Sequence, residues 1–458
     1  MYVQQLYTNC LAEAAYYIES EGEAAVIDPL RETEPYVDLA ESRGATIKYV
    51  FETHFHADFV SGHIDLSRQV NAPIIYGPEA NTTYQVYNAK DGEEFKLGKV
   101  KIRVLHTPGH TPESSCYLLI DERGNEYAVF TGDTLFVGDV GRPDLLDGVM
   151  SSDTLAGMLY DSLQQKIKTL PDRVIVYPAH GPGSACGKSI GSETFSTIGE
   201  QKKFNYALQN MSRQEFISKV TEGILPPPQY FFEDARINKT GYDPIEDVLR
   251  ENTRPLTIEK FNQAVGHGAL ILDTRKADEF EKGFIPGSIN IGLNGQFAVW
   301  VGTLIDIQKE LVLVTEPGRE AETVLRLARV GYEKILGYLQ GGVHSYDGQL
   351  EKVQSITARQ LKDDSNRRAV VLDVRKPGEW SAGHVKDALF LPLANFPDNL
   401  SSLNKGEKYV VHCGGGYRSM TAISIMKKLG FKDLVNIQGG FGAMQNAGLE
   451  IVTEEIMA

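Results

Sequence analysis

Short apolar runs, many of them rich in β-branched residues, recur along the whole chain and end at turns or polar motifs. In the first 220 residues, runs at 47–51, 127–130 and 173–176 are separated by turn signals, with few helical patterns between them. Apolar runs of about four to eight residues bounded by turns are typical of β-strands. The first part of the chain is therefore predicted to be a mixed α/β sandwich.

The second half contains an internal repeat. Leu-Asp-Thr-Arg-Lys at 272–276 returns as Leu-Asp-Val-Arg-Lys at 372–376, and Gln-Gly-Gly-Val at 340–343 returns as Gln-Gly-Gly-Phe at 438–441, with offsets of 100 and 98 residues. Within each copy, β-branched runs alternate with helical patterns, which is typical of a parallel-sheet α/β unit. Two homologous domains of about a hundred residues are the simplest account.

Three prolines at 226–228 cannot continue a helix and predict an extended linker at the end of the first domain's helical tail. A polar stretch from 238 to 255 then leads into the repeat. At 458 residues the chain is long enough for about three domains. The predicted boundaries are 1–245, 254–347 and 355–458.

Composition narrows the classes of function. A net charge of −15, from 46 Lys and Arg against 61 Asp and Glu, disfavours binding to nucleic acid or to an anionic membrane. The chain starts without the basic and apolar regions of a secretory signal, and it lacks an apolar stretch of membrane-spanning length. A cytoplasmic protein is expected. Four scattered cysteines are too few for a disulfide scaffold, so an important cysteine is a nucleophile or a metal ligand.

Histidines and aspartates form four groups at the ends of predicted strands in the first domain. Taken singly, each of these histidines is typical of a hydrogen-bonded structural residue. Four groups in order favour loops that converge on one metal ion. The candidate residues are His54, His56, Asp58, His110, Asp133 and His180.

The H-x-H-x-D spacing, with a later His, Asp and His, resembles the metallo-β-lactamase superfamily over residues 1–225. This resemblance implies an αββα sandwich. Members with two metals usually carry H-x-H-x-D-H, whereas this chain has Phe59 in the final position. A phenyl ring offers no electron pair to a metal, so one of the two metal sites is expected to be lost.

The remaining set is similar to that of the persulfide dioxygenases of this superfamily. The resemblance implies that His54, His110 and Asp133 hold one Fe(II) per chain. Two imidazoles and one carboxylate leave coordination positions open for dioxygen and substrate together. His56, Asp58 and His180 are then either residues that orient ligands and substrate or purely structural residues.

Two further residues of the first domain have open roles. Arg142 either holds a substrate carboxylate or pairs with Asp144. Cys186 follows His180 closely and is either a thiol that exchanges sulfur with substrate or a buried inert thiol. Cys10 and Cys116 lie among apolar or small residues and are predicted to be core positions.

Cys413 lies between the apolar run at 409–412 and a predicted helix. Glycines after it allow backbone N–H groups to point at the sulfur, and the helix N-terminus favours a thiolate. Arg418 is placed to attract an anionic sulfur acceptor. The expected sulfur-binding loop consists of Gly414, Gly415, Gly416, Tyr417 and Ser419.

This C-x4-R loop, with the motifs at 372–375 and 384–388, resembles the rhodanese sulfurtransferases over residues 355–458. Related phosphatases have one more residue in the loop, so the shorter form favours sulfur over phosphate. With the offset of 98 residues, Cys413 corresponds to Thr315 and Arg418 to Glu320. The middle domain is therefore predicted to be an inactive rhodanese-like domain that serves assembly or positioning.

The domain order resembles the multidomain, sulfide-detoxifying persulfide dioxygenases of bacteria. The resemblance implies that a low-molecular-weight thiol persulfide is oxidised with O2 to sulfite, and that Cys413 passes sulfur to sulfite to give thiosulfate. Self-association is also expected. Two alternatives remain: a glyoxalase II-like thioester hydrolase with appended rhodanese domains, and a non-catalytic sulfur carrier or sensor.

Overall fold

The computed structural model describes residues 1–146, 149–224, 226–363 and 369–453. The chain forms two compact units, one of residues 1–247 with 328–331, the other of residues 248–327 with the chain from Tyr332 onward. Two of the three predicted domains include positions outside the described residues, namely 147–148 and 225 in the first and 364–368 and 454–458 in the third. Residue 225 also lies in the predicted proline-rich linker.

The first unit contains two six-stranded sheets and flanking helices. Its strands are β1 (Tyr2–Thr8), β2 (Glu13–Ser20), β3 (Glu23–Ile27), β4 (Thr46–Phe51), β5 (Ile74–Tyr76), β6 (Tyr87–Asn88), β7 (Glu94–Leu97), β8 (Val100–His106), β9 (Ser115–Ile120), β10 (Glu126–Gly132), β11 (Ile175–Pro178) and β12 (Ser196–Thr197). Its helices are α1 (Glu34–Ser42), α2 (His63–Val70), α3 (Ser152–Ser162), α4 (Ile198–Phe204), α5 (Arg213–Thr221) and α6 (Tyr230–Thr240), and α7 (Ile245–Asn252) spans the boundary between the units.

The two sheets pack face to face between two helical layers. Strands β1 to β6 form one sheet in sequence order, and β12 to β7 form the other. Both sheets are mixed, because β3–β4 and β10–β11 are parallel pairs while β1–β2 and β8–β9 are antiparallel. Buried residues such as Tyr16, Phe51, Tyr117 and Phe130 fill the space between the sheets.

Separate apolar layers cover the outer faces of the two sheets. Residues of α1 and α2 pack on the first sheet, and residues of α3 and α5 pack on the second. This is the αββα sandwich that the sequence predicts. The predicted strands at 47–51, 127–130 and 173–176 correspond to β4, β10 and β11, although β11 begins two residues later than predicted.

The prolines at 226–228 do not end the first unit, contrary to the sequence-based expectation. Helix α6 follows them and belongs to the same unit. Proline predicts a local break in a helix but carries no information about which core the next helix joins. The helical tail of the first unit therefore continues past the proline run.

The second unit contains two domains with the same topology. Its strands are β13 (Pro255–Leu256), β14 (Leu270–Asp273), β15 (Ile289–Asn290), β16 (Leu311–Val314), β17 (Ile335–Leu339), β18 (Gln354–Thr357), β19 (Val370–Asp373), β20 (His384–Val385), β21 (Leu389–Phe390), β22 (Tyr409–His412), β23 (Leu434–Gln438) and β24 (Ile451–Val452). Its helices are α8 (Ile258–Gly266), α9 (Ala277–Lys282), α10 (Phe297–Leu304), α11 (Glu320–Ala328), α12 (Ala358–Asp363), α13 (Pro377–Ser381), α14 (Phe396–Asn399), α15 (Tyr417–Lys428) and α16 (Gly440–Asn446).

The five-stranded sheets of the two domains have equivalent strand orders. They are β13-β17-β16-β14-β15 in the middle domain and β18-β23-β22-β19-β21 in the third. All pairings within these two sheets are parallel. This confirms the two parallel-sheet α/β domains inferred from the repeat. Among the residues that the structure describes, every helix is too short or too polar to cross a membrane.

Candidate functional site

The candidate metal-binding residues follow the carboxyl ends of four strands in the first unit. His54, His56 and Asp58 come after β4, and His110 follows β8. Asp133 comes directly after β10, and His180 follows β11. Nε2 of His54, after a strand of one sheet, lies 3.9 Å from Oδ2 of Asp133, after a strand of the other, so strands of both sheets end at the same edge of the sandwich.

Three side chains form a compact group with ligand atoms within 4.8 Å of one another: His54, His110 and Asp133. Oδ2 of Asp133 lies 3.4 Å from Nε2 of His110 and 3.9 Å from Nε2 of His54. All three atoms are buried and have no hydrogen-bond partner among the described residues. Buried polar atoms are costly without a partner, so convergent unpaired donors fit a metal ion. The donor set matches the two-histidine, one-carboxylate pattern.

Two of the histidines have their Nδ1 atoms fixed by backbone carbonyls. Nδ1 of His110 donates to the oxygen of Arg142 at 2.8 Å, and Nδ1 of His180 donates to the oxygen of Ala12 at 3.1 Å. A carbonyl only accepts, so both Nδ1 atoms carry a proton. Nε2 of His110 is therefore the atom left to bind a metal.

A buried hydrogen-bond chain fixes His54 in the same way. Oγ1 of Thr53 lies 2.9 Å from Nδ1 of His54 and donates to Oδ2 of Asp28 at 2.8 Å. The hydroxyl proton is thus used, and Thr53 accepts from Nδ1 of His54. Burial, with the neighbouring histidines, holds the pKa of His54 well below its ordinary value. The ring is neutral and presents Nε2 to the metal group.

Asp28 was not identified from the sequence, although it lies directly after β3. Its backbone adopts φ of 51°, in the left-handed region. A non-glycine residue there costs roughly 1–2 kcal/mol. Its carboxylate also accepts from the backbone N–H of Thr53 at 2.7 Å. The strained conformation places a carboxylate under the residue that orients His54.

A second group lies on the other side of Asp133 and contains Asp58, His180 and Cys186. Nε2 of His180 is 3.4 Å from Oδ2 of Asp58 and 3.5 Å from Oδ1 of Asp133. Burial alone would lower the pKa of His180, but these two carboxylates hold it well above its ordinary value. Burial raises the pKa of the Cys186 thiol, and the same carboxylates add to this effect. Cys186 is therefore a neutral thiol.

His56 belongs to neither of these groups and forms a third with Asp28 and Glu52. Its Nε2 lies 3.2 Å from Oδ1 of Asp28 and 3.7 Å from Oε2 of Glu52. Burial and the Asp28 charge hold the pKa of Glu52 well above its ordinary value, so this carboxyl is neutral. Phe59 is fully buried, with its ring centroid 4.4 Å from that of His56. The position that departs from the two-metal motif has become part of the core.

Arg142 makes the internal pair that the sequence left as one of two alternatives. Its guanidinium donates to both oxygens of Asp144, at 2.6 and 2.7 Å, and to the backbone oxygen of Ala185 at 3.2 Å. The backbone N–H of Arg142 donates to the backbone oxygen of Cys186 at 3.0 Å. Arg142 therefore fixes the loop that carries Cys186.

The structure identifies Asn238, which has no sequence motif, as a residue that supports the histidine loop. From helix α6 its Nδ2 donates to the oxygens of His56 at 2.7 Å and Phe59 at 2.8 Å, and its Oδ1 accepts from the N–H of Ser61 at 2.9 Å. Asn238 is fully buried. A contact across 182 residues leaves no local pattern by which it could be found.

Two other expectations concern cysteines. Cys116 is fully buried, and burial raises the pKa of its thiol to about 11. It is a core residue as predicted. Cys10 is only half-buried, so its assignment to the core is wrong. The small and polar residues around Cys10 in the sequence are part of a turn rather than a buried strand.

A second candidate site lies in the third domain, where Cys413 joins β22 to α15. The N–H of Gly416 donates to Sγ of Cys413 at 3.1 Å, and the N–H of Phe441 donates to the oxygen of Cys413 at 2.8 Å. Gly416 has φ of 104°, a conformation that favours glycine. Gly414 and Gly415 are exposed, so the loop is open to solvent beside the buried sulfur.

The remaining loop residues begin the helix. Tyr417 is the first residue of α15. The hydroxyl of Ser419 lies 3.7 Å from the sulfur of Cys413 and donates to Oδ1 of Asn436 at 2.8 Å. Ser419 is therefore tied to β23 as well as to the sulfur.

Arg418 is already paired with a carboxylate that the sequence analysis did not identify. Its Nη1 and Nη2 donate to the two carboxylate oxygens of Glu379, at 2.5 and 2.8 Å. This pairing lowers the pKa of Glu379 to about 2. Glu379 and Cys413 also raise the pKa of Arg418. The cation expected to attract an acceptor anion is thus partly balanced by a neighbouring anion.

The middle domain has neither of these groups at the equivalent positions. Thr315 follows β16 as Cys413 follows β22, and α11 begins with Glu320. Thr315 is buried. The structure therefore places the two residues where the offset of the repeat predicts them.

Comparisons with known proteins match both halves of the chain. The family model of the metallo-beta-lactamase superfamily matches residues 8–180. That of the rhodanese-like domain matches twice, at residues 257–349 and 357–447. Together these matches cover the regions that hold the two candidate sites.

Among curated proteins, two kinds of relative are similar to the first domain to the same degree. Persulfide dioxygenase ETHE1 of Homo sapiens is 30% identical over 208 residues, which cover 45% of this chain and 74% of that protein. The probable hydroxyacylglutathione hydrolase glo2 of Schizosaccharomyces pombe is 31% identical over 206 residues, covering 40% of this chain and 75% of that protein. The percentage of identical residues therefore does not decide whether the first domain is more similar to the dioxygenase or to the hydrolase.

A solved structure covers more of the chain. A metallo-beta-lactamase from Staphylococcus aureus subsp. aureus COL is 31% identical with a TM-score of 0.65, over 74% of this chain and 98% of that one. The likeness therefore extends well beyond a single domain of this chain.

Proposed function

Because the chain belongs to the metallo-β-lactamase superfamily and joins that domain to two rhodanese-like domains, we propose that it is an iron-dependent persulfide dioxygenase coupled to a sulfurtransferase. The observation that carries this proposal is the group His54, His110 and Asp133, whose buried ligand atoms converge without other partners. With Phe59 in place of the last histidine of the two-metal motif, one Fe(II) per chain is the expected content.

The proposed first reaction converts a low-molecular-weight thiol persulfide, RSSH, with one O2 and one water, into RSH, sulfite and two protons. The terminal sulfur is oxidised and dioxygen is reduced. When bound, iron(II) would supply open coordination positions and a redox-active centre through which electrons pass from the sulfur to dioxygen. His54, His110 and Asp133 would hold it.

The chain's own residues orient the reactants and hold a proton. Nε2 of His180 lies 3.4 Å from Oδ2 of Asp58 and 3.5 Å from Oδ1 of Asp133, beside the proposed iron site, where it can orient an anionic sulfur. Cys186 stays a neutral thiol in the same group, which favours a donor role over a nucleophilic one. His56 and Asp58 keep these rings in place through their contacts with Asp28 and His180.

The proposed second reaction takes place at Cys413. Its thiolate attacks the outer sulfur of a second persulfide, releasing RSH and forming a cysteine persulfide. Sulfite then attacks the outer sulfur of that persulfide, giving thiosulfate and the free thiolate. The N–H of Gly416 stabilises the sulfur anion, and Arg418 attracts sulfite. Four free cysteines are consistent with the reducing cytoplasm in which we place both reactions.

A thioester hydrolase of the hydroxyacylglutathione type is the second candidate, because such hydrolases are equally similar to the first domain. One experiment separates the two. The full chain is reconstituted anaerobically with iron and assayed in an oxygen electrode with cysteine, coenzyme A, glutathione and bacillithiol persulfides. A parallel anaerobic assay follows hydrolysis of lactoylglutathione.

The proposal predicts oxygen uptake with at least one persulfide, repeated over many turnovers, and no thioester hydrolysis. Hydrolysis without oxygen uptake would instead assign the hydrolase activity. If neither activity is observed, a sulfur carrier or sensor remains as the candidate function.

A further inference from the structure

Helix α15, which begins beside Cys413, packs against the middle domain within the second unit. The hydroxyl of Tyr417 donates to the backbone oxygen of Gly292 at 2.7 Å. Two turns further along, the hydroxyl of Ser424 accepts from the backbone N–H of Asn290 at 2.9 Å. Ser424 is fully buried. Helix α15, which carries Arg418, is therefore held by the middle domain, which has Thr315 in place of a cysteine.

The contact at Tyr417 requires a glycine of the middle domain. A Cβ atom built on Gly295 would lie 2.6 Å from the tyrosine ring, closer than real Cβ contacts allow, and one on Gly292 would lie 3.5 Å away. The ring thus packs directly on the backbone of residues 292–295. Burial raises the pKa of Tyr417, so its hydroxyl remains a neutral donor.

The backbone that receives Tyr417 is itself fixed. Nη1 of Arg326 donates to the oxygen of Leu293 at 2.6 Å, and Nη2 of the same side chain pairs with Glu322 at 3.0 Å. Arg326 and Glu322 lie on α11 of the middle domain. The segment that receives Tyr417 is therefore tied to helix α11 of its own domain.

The sulfur-binding loop borders open space beside two of its glycines. A Cβ atom added to Gly415 or Gly416 would have no atom of the described residues within 4 Å, apart from those of its chain neighbours. Glycines lose more conformational freedom than other residues when they are ordered. The start of the loop is held through the carbonyl of Cys413, and its end is held at Tyr417.

We propose that the middle domain positions the sulfur-transfer loop through Tyr417. The backbone of residues 292–295 fixes the first turn of α15 and so holds the N–H of Gly416 and the guanidinium of Arg418 against the sulfur of Cys413. Tyr417 is a positioning residue, because it acts through these two groups. This inference rests on the proposed sulfurtransferase activity and gives the middle domain a role in it.

The test uses the full chain with Gly295→Ala, which adds a methyl group where the tyrosine ring lies. Sulfur transfer is measured with thiosulfate and cyanide: Cys413 takes the outer sulfur and releases sulfite, and cyanide removes that sulfur as thiocyanate. We expect kcat to fall at least tenfold. The rate of alkylation of Cys413 by iodoacetamide at fixed pH should also change, whereas oxygen uptake with a persulfide should not.

The matched control is Gly266→Ala in α8, where an added Cβ meets nothing within 4 Å and the backbone is not left-handed. A double-mutant cycle with Tyr417→Ala distinguishes positioning from general damage. If Gly295→Ala acts through the ring, it has little further effect once the ring is removed. Tyr417→Phe, which removes only the bond to Gly292, should lower kcat several-fold and covers the case in which Gly295→Ala does not fold.

Full sulfur transfer in Gly295→Ala, or additive effects in the cycle, would overturn the inference. Absence of transfer in the unmodified chain would instead overturn the proposed sulfurtransferase activity. In that case the alkylation rates still decide the positioning role, because alkylation requires no sulfur substrate. Unchanged alkylation in Gly295→Ala and Tyr417→Ala would then overturn the inference.

Discussion

In each histidine, the hydrogen bond made by Nδ1 decides whether Nε2 is available to bind a metal. Backbone carbonyls fix His110 and His180, whereas His54 depends on the hydroxyl of Thr53 and the carboxylate of Asp28. A carbonyl oxygen can only accept a hydrogen bond. The hydroxyl of Thr53 accepts one from the ring of His54 because its own proton is donated to Asp28. His54 is thus the ligand whose orientation is most easily disturbed.

Thr53→Val tests this dependence with almost no change in side-chain shape. The ring of His54 loses its acceptor, so iron affinity should fall by about 10- to 100-fold, as is typical when a residue that orients a ligand is removed. Affinity is measured by competition with a chelator. Thr303→Val, which removes a hydroxyl bonded within a helix to Val299, is the control. Equal affinities in the two variants would contradict the role of Thr53.

Glu379 limits the charge that Arg418 presents to an acceptor. Glu379→Gln should lower the KM for thiosulfate about two- to fivefold, the scale of a partly exposed charge interaction. Glu279→Gln is the matched control, because Glu279 occupies the equivalent position of the middle domain and pairs with Lys282. An unchanged or raised KM in Glu379→Gln would show that the carboxylate does not oppose anion binding.

The same pair has a defined pH dependence. Arg418 lowers the folded-state pKa of Glu379 from 4.5 to about 2, so the pair stabilises the fold fully above about pH 4.5 and loses this contribution as pH falls towards 2. The difference in unfolding free energy between the unmodified chain and Glu379→Gln should therefore be constant from pH 8 to pH 5. A difference that disappears within that interval would contradict the pairing.

At the scale of elements, individual strands could be predicted because their apolar runs are local. The runs at 127–130 and 409–412 coincide with parts of β10 and with β22, and the repeat predicts two parallel-sheet domains of the same kind. Histidines and aspartates at strand ends were also predictable, since parallel strands end at one edge of a sheet. Helix α6 was not, because a proline run marks a break without showing where the chain returns.

The residues that support the two sites were equally invisible in the sequence. Asn238, Asp28 and Glu379 act through contacts with distant parts of the chain, and their residue types are common on any surface. The packing of Tyr417 on Gly295 joins residues of two different domains, so no local sequence pattern reveals it. Sequence patterns therefore predict the chemistry-bearing groups but not the groups that hold them.

Helix α6 contributes to the first site through one side chain. Asn238→Ala would leave two carbonyls and one N–H of the histidine loop without their partner, costing about 1–3 kcal/mol of unfolding free energy. The midpoint of the first transition in a urea titration measures this cost, and chelator competition should show weaker iron binding. Lys239→Ala, at an exposed neighbour, is the control. Unchanged stability and iron binding would show that α6 does not support the loop.

At the scale of the whole molecule, the proposed function combines a reaction that forms sulfite with one that consumes it. Joining two such activities in one chain can raise the effective concentration of an intermediate to roughly millimolar where geometry permits. The product of the unmodified chain should therefore be thiosulfate, although sulfite is the product of the reaction proposed for the first domain.

Cys413→Ser tests this coupling. The serine hydroxyl cannot carry the transferred sulfur, so oxygen uptake should remain near its original rate while the product changes from thiosulfate to sulfite. Both anions are quantified by chromatography after derivatisation. Cys116→Ser would disturb the core, so Cys10→Ser, at a half-buried position, is the better control. A thiosulfate yield that is unchanged in Cys413→Ser would remove the third domain from the reaction.

The central claim is that two histidines and one aspartate hold a single redox-active iron. Its most direct measurement is the iron content and persulfide-dependent oxygen uptake of Asp133→Ala after anaerobic reconstitution, beside Asp38→Ala at an exposed position of α1. The account predicts about one iron per chain with rapid uptake in the unmodified chain and the control, and loss of both in Asp133→Ala. Undiminished oxygen uptake in Asp133→Ala, or two tightly bound zinc ions in the unmodified chain, would contradict it.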